Sequence, residues 1–587
     1  MRIFYGIILI SLVFIPYYSI CQTFTNVGPQ MGLNHMYLNG FNGGGLSFVD
    51  YNGDGYDDLF LSSSFGQSIV VEKNNVTNFI NVTQSFNFTE IFESKTTLCS
   101  DYDNDGDKDI LIVHFLGFLK LYRNNNGTYQ DVTISSGLSP DSLNATAAMW
   151  FDYNRDGWLD LYVGVYSGFG NNLPKPNKLY KNLGNGNFQD VSVSSNSQNS
   201  GNKVLALAVI DYNNDFWPDI YIASDRRYGN TLLKNNGNGT FTDVSHQSGA
   251  YLEMDAMGLA IGDYDNNGYF DIYISNGEEG NSFLKNNGNG TFTDVAAQLN
   301  MSVNRICWGN NFFDYDNDGD IDLYVAVSGG PVDRNNVLFR NNNNGTFTKM
   351  TGIGLENDNF QSYGCAIGDV DNNGYLDIAS MNTGDPVSLL RSSGGSNKWI
   401  KIKLQGTYSN RDGIGSIIEI WRNGAKFKRP VLCGQSYCSQ NSLIQTIGVG
   451  AVNVIDSIVV YWPSGIRQGV TNVNTNQTIT IVETGVIGIN NNNSQIPNEF
   501  KLSQNYPNPF NPSTIIEYSV PQSSYVTIKL YDILGNEISL LENGFKNPGN
   551  YSISLKAVIT SKLSSGVYYY KMTSGDFTET KKMILIK

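Results

Sequence analysis

The feature that most constrains this chain is an acidic nine-residue loop that recurs seven times. It first appears as Asp50-Tyr-Asn-Gly-Asp-Gly-Tyr-Asp-Asp58 and returns at 101–109, 152–160, 211–219, 263–271, 314–322 and 369–377. Successive copies begin 51, 51, 59, 52, 51 and 55 positions apart. A period of about 50 residues suits one four-stranded propeller blade, and seven blades close a ring. Each loop lies between two short apolar runs, such as 148–151 before and 161–165 after the third copy, so it reads as the tip of a hairpin.

A second, turn-rich element follows in most blades. Leu233-Lys-Asn-Asn-Gly-Asn-Gly-Thr-Phe-Thr-Asp-Val244 is echoed at 284–295, 338–350, 179–191 and 121–132, and its Asn-Gly pairs supply the positive φ of hairpin turns. The Asn-x-Thr triplets there read as turn chemistry rather than glycan acceptors. Thr23-Phe-Thr-Asn-Val27 resembles the segment that ends a blade, and the last blade lacks one before Trp399. The first strand is therefore expected to close the ring; a linear solenoid would leave open sheet edges.

Within each loop, oxygen-bearing side chains hold positions 1, 3, 5 and 9, and the backbone carbonyl of position 7 is expected to point inward. The candidate ligand sets are Asp50, Asn52, Asp54, Tyr56 and Asp58; Asp101, Asp103, Asp105, Asp107 and Asp109; Asp152, Asn154, Asp156, Trp158 and Asp160; and Asp211, Asn213, Asp215, Trp217 and Asp219. The remaining three are Asp263, Asp265, Asn267, Tyr269 and Asp271; Asp314, Asp316, Asp318, Asp320 and Asp322; and Asp369, Asp371, Asn373, Tyr375 and Asp377. Alternating oxygens on a tight loop without His or Cys are suited to calcium. The pattern starts like an EF-hand loop, but Leu61 stands where position 12 would need Glu, and the flanks are strands.

These loops resemble the calcium hairpins of the FG-GAP and VCBS repeat families, familiar from integrin α-subunit propellers. The resemblance implies up to seven structural calcium ions, which would offset most of the formal charge of -16. Calcium is then expected to stabilise the fold by mass action, with affinities of roughly 10⁻⁴ to 10⁻³ M. The loop of blade four has Phe216 where the turn wants Gly, which makes it the expected weakest site.

Charged residues make up 16% of the chain, aromatics 12%, and Gly numbers 61, which favours strands and tight turns. The acidity argues against a nucleic-acid partner. Residues 1–21 read as a secretory signal peptide, with a membrane anchor as the alternative because Ile3–Ile20 nearly reaches the length of a membrane span. Among the remaining cysteines, Cys433 and Cys438 are the candidate disulfide, five residues apart around Gly434, with two buried free thiols as the alternative.

The propeller is assigned to 22–397. Residues 398–483 carry Ser409-Asn-Arg-Asp-Gly-Ile-Gly-Ser416, Cys433-Gly-Gln-Ser-Tyr-Cys-Ser-Gln440 and Val459-Val-Tyr-Trp-Pro-Ser-Gly465, and resemble the ASPIC/UnbV domain of cartilage acidic protein 1-like proteins. The polar loop at Asn410, Arg411 and Asp412 reads as a turn rather than a ligand site. A linker is assigned to 484–498. Residues 499–587, with Asn505-Tyr-Pro-Asn-Pro-Phe-Asn-Pro-Ser-Thr514 and Leu530-Tyr-Asp-Ile-Leu-Gly535, resemble a type A sorting domain of the type IX secretion system. That resemblance implies a β-sandwich, the secretion machinery as partner, and a secreted or outer-surface location on a bacterium with an outer membrane.

The expected whole is an all-β chain: a seven-bladed propeller, a small β-rich domain and a C-terminal β-sandwich. The expected function is adhesin-like binding of an extracellular glycan or protein by a monomer. The alternative is a carbohydrate-active lyase or hydrolase on the same scaffold. Only His35, His114 and His246 are present, and neither a Gly-x-Ser-x-Gly elbow nor zinc spacing appears, so no catalytic residue is assigned. His114 reads as a core residue, while His35 falls in a loop expected at a propeller face.

Overall fold

In the computed structural model the described residues are 22–139, 141–169, 174–329, 334–484, 488–491, 499–505, 508–510, 514–546, 549–555 and 563–586. The segment read as a signal peptide lies outside them. No helix among the described residues is long and apolar enough to cross a membrane.

Seven four-stranded antiparallel sheets follow one another, each formed by a strand, the acidic loop, a second strand and the outer hairpin. The inner strands are buried along their length because both faces meet neighbouring blades: Ala145–Phe151 and Val204–Ile210 have no exposed residue. Outer strands such as Phe241–Asp243 bury only their first residue. The ring closes as expected, Phe24–Asn26 pairing antiparallel with Ser388–Ser392 in the seventh sheet.

One further residue helps the closure. In five blades an asparagine of the third strand, Asn74, Asn182, Asn235, Asn286 or Asn341, donates its amide to a carbonyl of the preceding blade's acidic loop. Blade seven has Ser392 at that place, and the amide of Gln22, brought in by the N-terminal strand, reaches both Ser392 Oγ and the carbonyl of Tyr315.

The second module packs two sheets around Ile400, Ile418, Ile458, Val460 and Trp462. Gly488–Asn491, within the stretch read as linker, adds a parallel edge strand to Arg467–Asn474, a pairing that needs backbone groups rather than apolar side chains. The C-terminal module is a sandwich of a three-stranded and a four-stranded sheet over its own core of Leu502, Ile516, Ile528 and Met572.

The second module also fills the propeller's central channel with residues 433–442. Gln440 pairs through its backbone with Leu46 and Phe48 of blade one and through its side chain with both backbone groups of Cys99 in blade two. The carbonyl of Cys433 accepts from Trp150 of blade three, and Ser436 bridges Leu259 of blade five and Asn310 of blade six. Asn441 and Ser442 bond to Ile367 of blade seven. Passage is close: a Cβ on Gly45 would lie 1.6 Å from the carbonyl oxygen of Cys438.

This plug corrects the disulfide expectation, since Cys433 and Cys438 are both free and buried. The tight loop between them, with Ser436 and Cys438 at φ 61° and 53°, places Cys433 beside Trp150 and the thiol of Cys438 3.2 Å from the carbonyl of Thr146. The two thiols lie in separate apolar clusters, Cys433 with Trp150 and Leu161 and Cys438 with Phe115, Tyr166 and Leu205, rather than against each other.

Two outcomes follow. Alkylation of unreduced, denatured protein should modify Cys433 and Cys438 alike; a peptide resistant until reduction would restore the bridge. Gln440→Ala leaves two backbone groups of Cys99 buried without partners and should cost about 2 to 4 kcal/mol, read as a lower propeller melting temperature.

Candidate metal loops beneath the second module

The seven loops share one hydrogen-bond scaffold that holds their carboxylates in place. The position 1 carboxylate accepts from the backbone N–H of position 6 in every copy, from 3.0 Å at Gly55 to 2.7 Å at Gly374. Position 5 accepts from the N–H of position 7, as at Asp105–Asp107 and Asn267–Tyr269. The position 9 aspartate opens the second strand and accepts from a third-strand N–H, as Asp58 does from Asn74 and Asp322 from Asn341. Position 6 takes positive φ throughout, and Phe216 does so at 65° while keeping its bond to Asp211.

In four loops the carboxylates of positions 1, 3 and 9 lie with oxygens within 4.8 Å of one another: Asp101, Asp103 and Asp109; Asp263, Asp265 and Asp271; Asp314, Asp316 and Asp322; and Asp369, Asp371 and Asp377. Asn52, Asn154 and Asn213 hold position 3 in the other three. The position 5 side chains, including Asp54, Asp156 and Asp215, turn to the N–H of position 7.

These residues fit a hard divalent cation. One carboxylate oxygen each of Asp50 and Asp103 is buried without a hydrogen-bond partner among the described residues. Burial lifts Asp58 to about 8 and Asp109 to about 9, and holds Asp160, Asp219, Asp271, Asp322 and Asp377 well above the carboxylate range. A carboxylate so desolvated needs a proton or a cation. Positions 1, 3 and 9 would hold the ion through side-chain oxygens.

The loops are also laced to one another. Position 4 is left-handed in all seven, from φ 55° at Asn266 to 74° at Gly53. There Asn104, Asn214 and Asn317 donate their amides to the position 6 carbonyl of the next blade, Gly157, Gly268 and Gly374, at 2.8 to 3.1 Å. Asn372 does the same to Gly55 at 2.9 Å, carrying the lacing across the closure. The column of asparagines at position 4 was open to inspection in the repeat, and their left-handed conformation is one Asn tolerates.

The second module lies directly on these loops through basic side chains, which the repeat pattern gave no sign of. Lys428 reaches the carbonyl of Gly268 at 3.1 Å, Arg429 that of Gly319 at 2.9 Å, and Arg422 that of Asp318 at 2.5 Å. Asp412 accepts from the N–H of Asp101 and pairs with Lys108, while Arg411 donates its N–H to Asn104. The Asn410–Asp412 segment is thus a turn, as expected, and a docking contact. Phe216 stacks on Tyr461 with ring centroids 5.7 Å apart, which accounts for a bulky residue at a strained position.

Lys401 goes further than its neighbours. Its ammonium, nearly buried, lies 2.5 Å from Asp369 Oδ2 and 2.5 Å from Asn372 Oδ1, inside the loop of blade seven. A fixed positive charge there opposes a second cation.

Chelation is expected to lower the melting temperature. At 1 mM calcium and a Kd of ~10⁻⁴ M each filled site contributes about 1.4 kcal/mol; melting unaffected by chelator and calcium would overturn metal-dependent stability. Lys401→Met should tighten calcium binding at blade seven about tenfold, seen in a calcium titration as an added tight equivalent. An unchanged isotherm would remove any role for the lysine in tuning that loop.

Comparison with known proteins agrees with this architecture. Models of the FG-GAP-like repeat match residues 101–163, 211–274, 271–325 and 314–380, the ASPIC and UnbV model matches 406–487, and the secretion system C-terminal sorting domain matches 504–587. Cartilage acidic protein 1 of Xenopus tropicalis is 22% identical over 465 residues, 72% of this chain and 70% of that protein. The Homo sapiens protein of the same name is 23% identical over 167 residues, 27% of this chain and 24% of its own length. The solved structure of Saccharomyces cerevisiae Sqt1 aligns over 62% of this chain and 99% of its own at 11% identity, with a TM-score of 0.39 that supports no further comparison. The chain is therefore a propeller-type protein of FG-GAP-like repeats joined to an ASPIC and UnbV domain, ending in a sorting domain that directs export by the type IX system to the cell surface or beyond.

Proposed function

We propose that this exported chain is an adhesin-like, calcium-stapled binding protein whose ligand site lies on the propeller face away from the acidic loops. The observation that carries this reading is the placement of the second module. It covers the loop-bearing face with Lys401, Arg422, Lys428 and Arg429, leaving the connections at the opposite ends of the blades free to meet a partner. That opposite face has an aromatic centre, in which Phe41 stacks on Phe115 at 4.5 Å beside Phe169, and Trp308 packs against Tyr363 and Tyr437. Apolar side chains stand exposed around it, including Met36, Leu38, Phe65, Ile91 and Leu116. Contiguous exposed apolar surface on a soluble protein marks a place of contact.

The reading as an enzyme draws no support from the histidines. His114 is buried and donates Nδ1–H to the carbonyl of Phe118 at 2.9 Å, and burial lowers its pKa. His35 donates Nε2–H to the carbonyl of Ser62 at 2.8 Å, and burial lowers its pKa too.

The full chain, with calcium and with chelator, should bind a defined member of an array of extracellular glycans and surface proteins without altering it. Turnover of an arrayed glycan would replace the binding protein by the enzyme, and silence across both arrays would leave the surface without a ligand.

A further inference from the structure

Blade one carries a groove of about 520 Å³ on the face away from its acidic loop. The second strand of that blade, Asp58–Leu61, runs away from the loop, so the 62–69 connection stands at the far end. His35, Met36 and Leu38 come from the crossing after the N-terminal strand, and Ser63, Gln67 and Ser68 from the connection. The hydroxyl oxygens of Ser63 and Ser68 are buried and have no hydrogen-bond partner among the described residues, although Ser63 is wholly buried. Such hydroxyls ordinarily find a partner. In the same connection, between Ser63 and Gln67, the ring of Phe65 is 73% exposed, and the N–H of Gly66 donates to the carbonyl of Ile91, itself 55% exposed.

No residue lining the groove carries a formal charge, in a chain that carries 54 acids and 38 lysines and arginines. The neutral lining disfavours an anionic or cationic ligand, whose charge would be desolvated without a counter-ion. Apolar walls with hydroxyls unpartnered among the described residues, the exposed amide of Gln67 and the exposed ring of Phe65 suit a ligand with one apolar face and many hydroxyl groups. The size falls within the range of small-molecule sites.

We infer that this groove, bounded by His35, Met36, Leu38, Ser63, Gln67 and Ser68 with Phe65 at its edge, is the subsite for a neutral pyranose unit of an extracellular glycan. This rests on the ligand-binding reading above and gives that reading a ligand class and a place. Ser63 and Ser68 exchange hydrogen bonds with ring hydroxyls, Gln67 bridges two of them, and Phe65 covers the apolar face of the sugar. His35 is held by Ser62 as a fixed wall.

The test uses the calcium-loaded full chain against neutral oligosaccharides, the same backbones bearing sulfate or uronic acid, and unrelated peptides. Phe65→Ala and Gln67→Ala change exposed residues, and Leu183→Ala, an exposed apolar residue of blade three, serves as control. Neutral oligosaccharide binding that weakens about tenfold in each groove variant and is kept in the control is the expected result. Neutral glycan binding indifferent to both variants would overturn the assignment of the groove while sparing the ligand-binding reading. Binding confined to charged glycans or peptides would overturn the ligand class, and binding to nothing would overturn both readings.

Discussion

Seven carboxylates buried at the starts of seven strands set the terms for this fold. The position 9 aspartates lie inside the protein, where a charge without a partner costs several kcal/mol. Each is therefore met by backbone N–H groups, and its loop is shaped so that further oxygens converge beside it. A divalent ion would satisfy that arrangement, and the basic residues of the second module add compensation from above. The ring, the docking of the second module and the expected need for calcium all answer the same electrostatic demand.

That demand explains why the second module is not a bead on a string. Ile414 and Cys433 belong to the core between blades two and three, and Ile417 to the core between blades four and five. Its cations rest on loop carbonyls, and its plug pairs with the inner strands. The C-terminal module, by contrast, keeps a separate core, as suits a domain whose task is export.

Most of the architecture was legible because it repeats. The spacing of the acidic loops gave the blades, the likeness of Thr23–Val27 to a blade's last strand gave the closure, and Phe216 announced its positive φ by standing in a glycine column. What could not be read occurs once. The plug, the separate fates of Cys433 and Cys438, and the reach of Lys401 into blade seven depend on contacts between residues tens to hundreds of positions apart. No local pattern encodes them. The amide of Gln22 standing in for the asparagine missing at Ser392 is of the same kind: a substitution in one place repaired from the far end of the ring.

The plug also bears on how such a ring can be assembled. Its short segment is bonded to the inner strands of six blades and faces Ala206 and Leu207 of the remaining one across a small void. Threading it through a finished ring would require those strands to part, and closing blades around it would not. The segment then acts as a mandrel on which the blades are laid. Contacts so distant in sequence are slow to make, and once made no blade can leave without releasing the shaft that the others share.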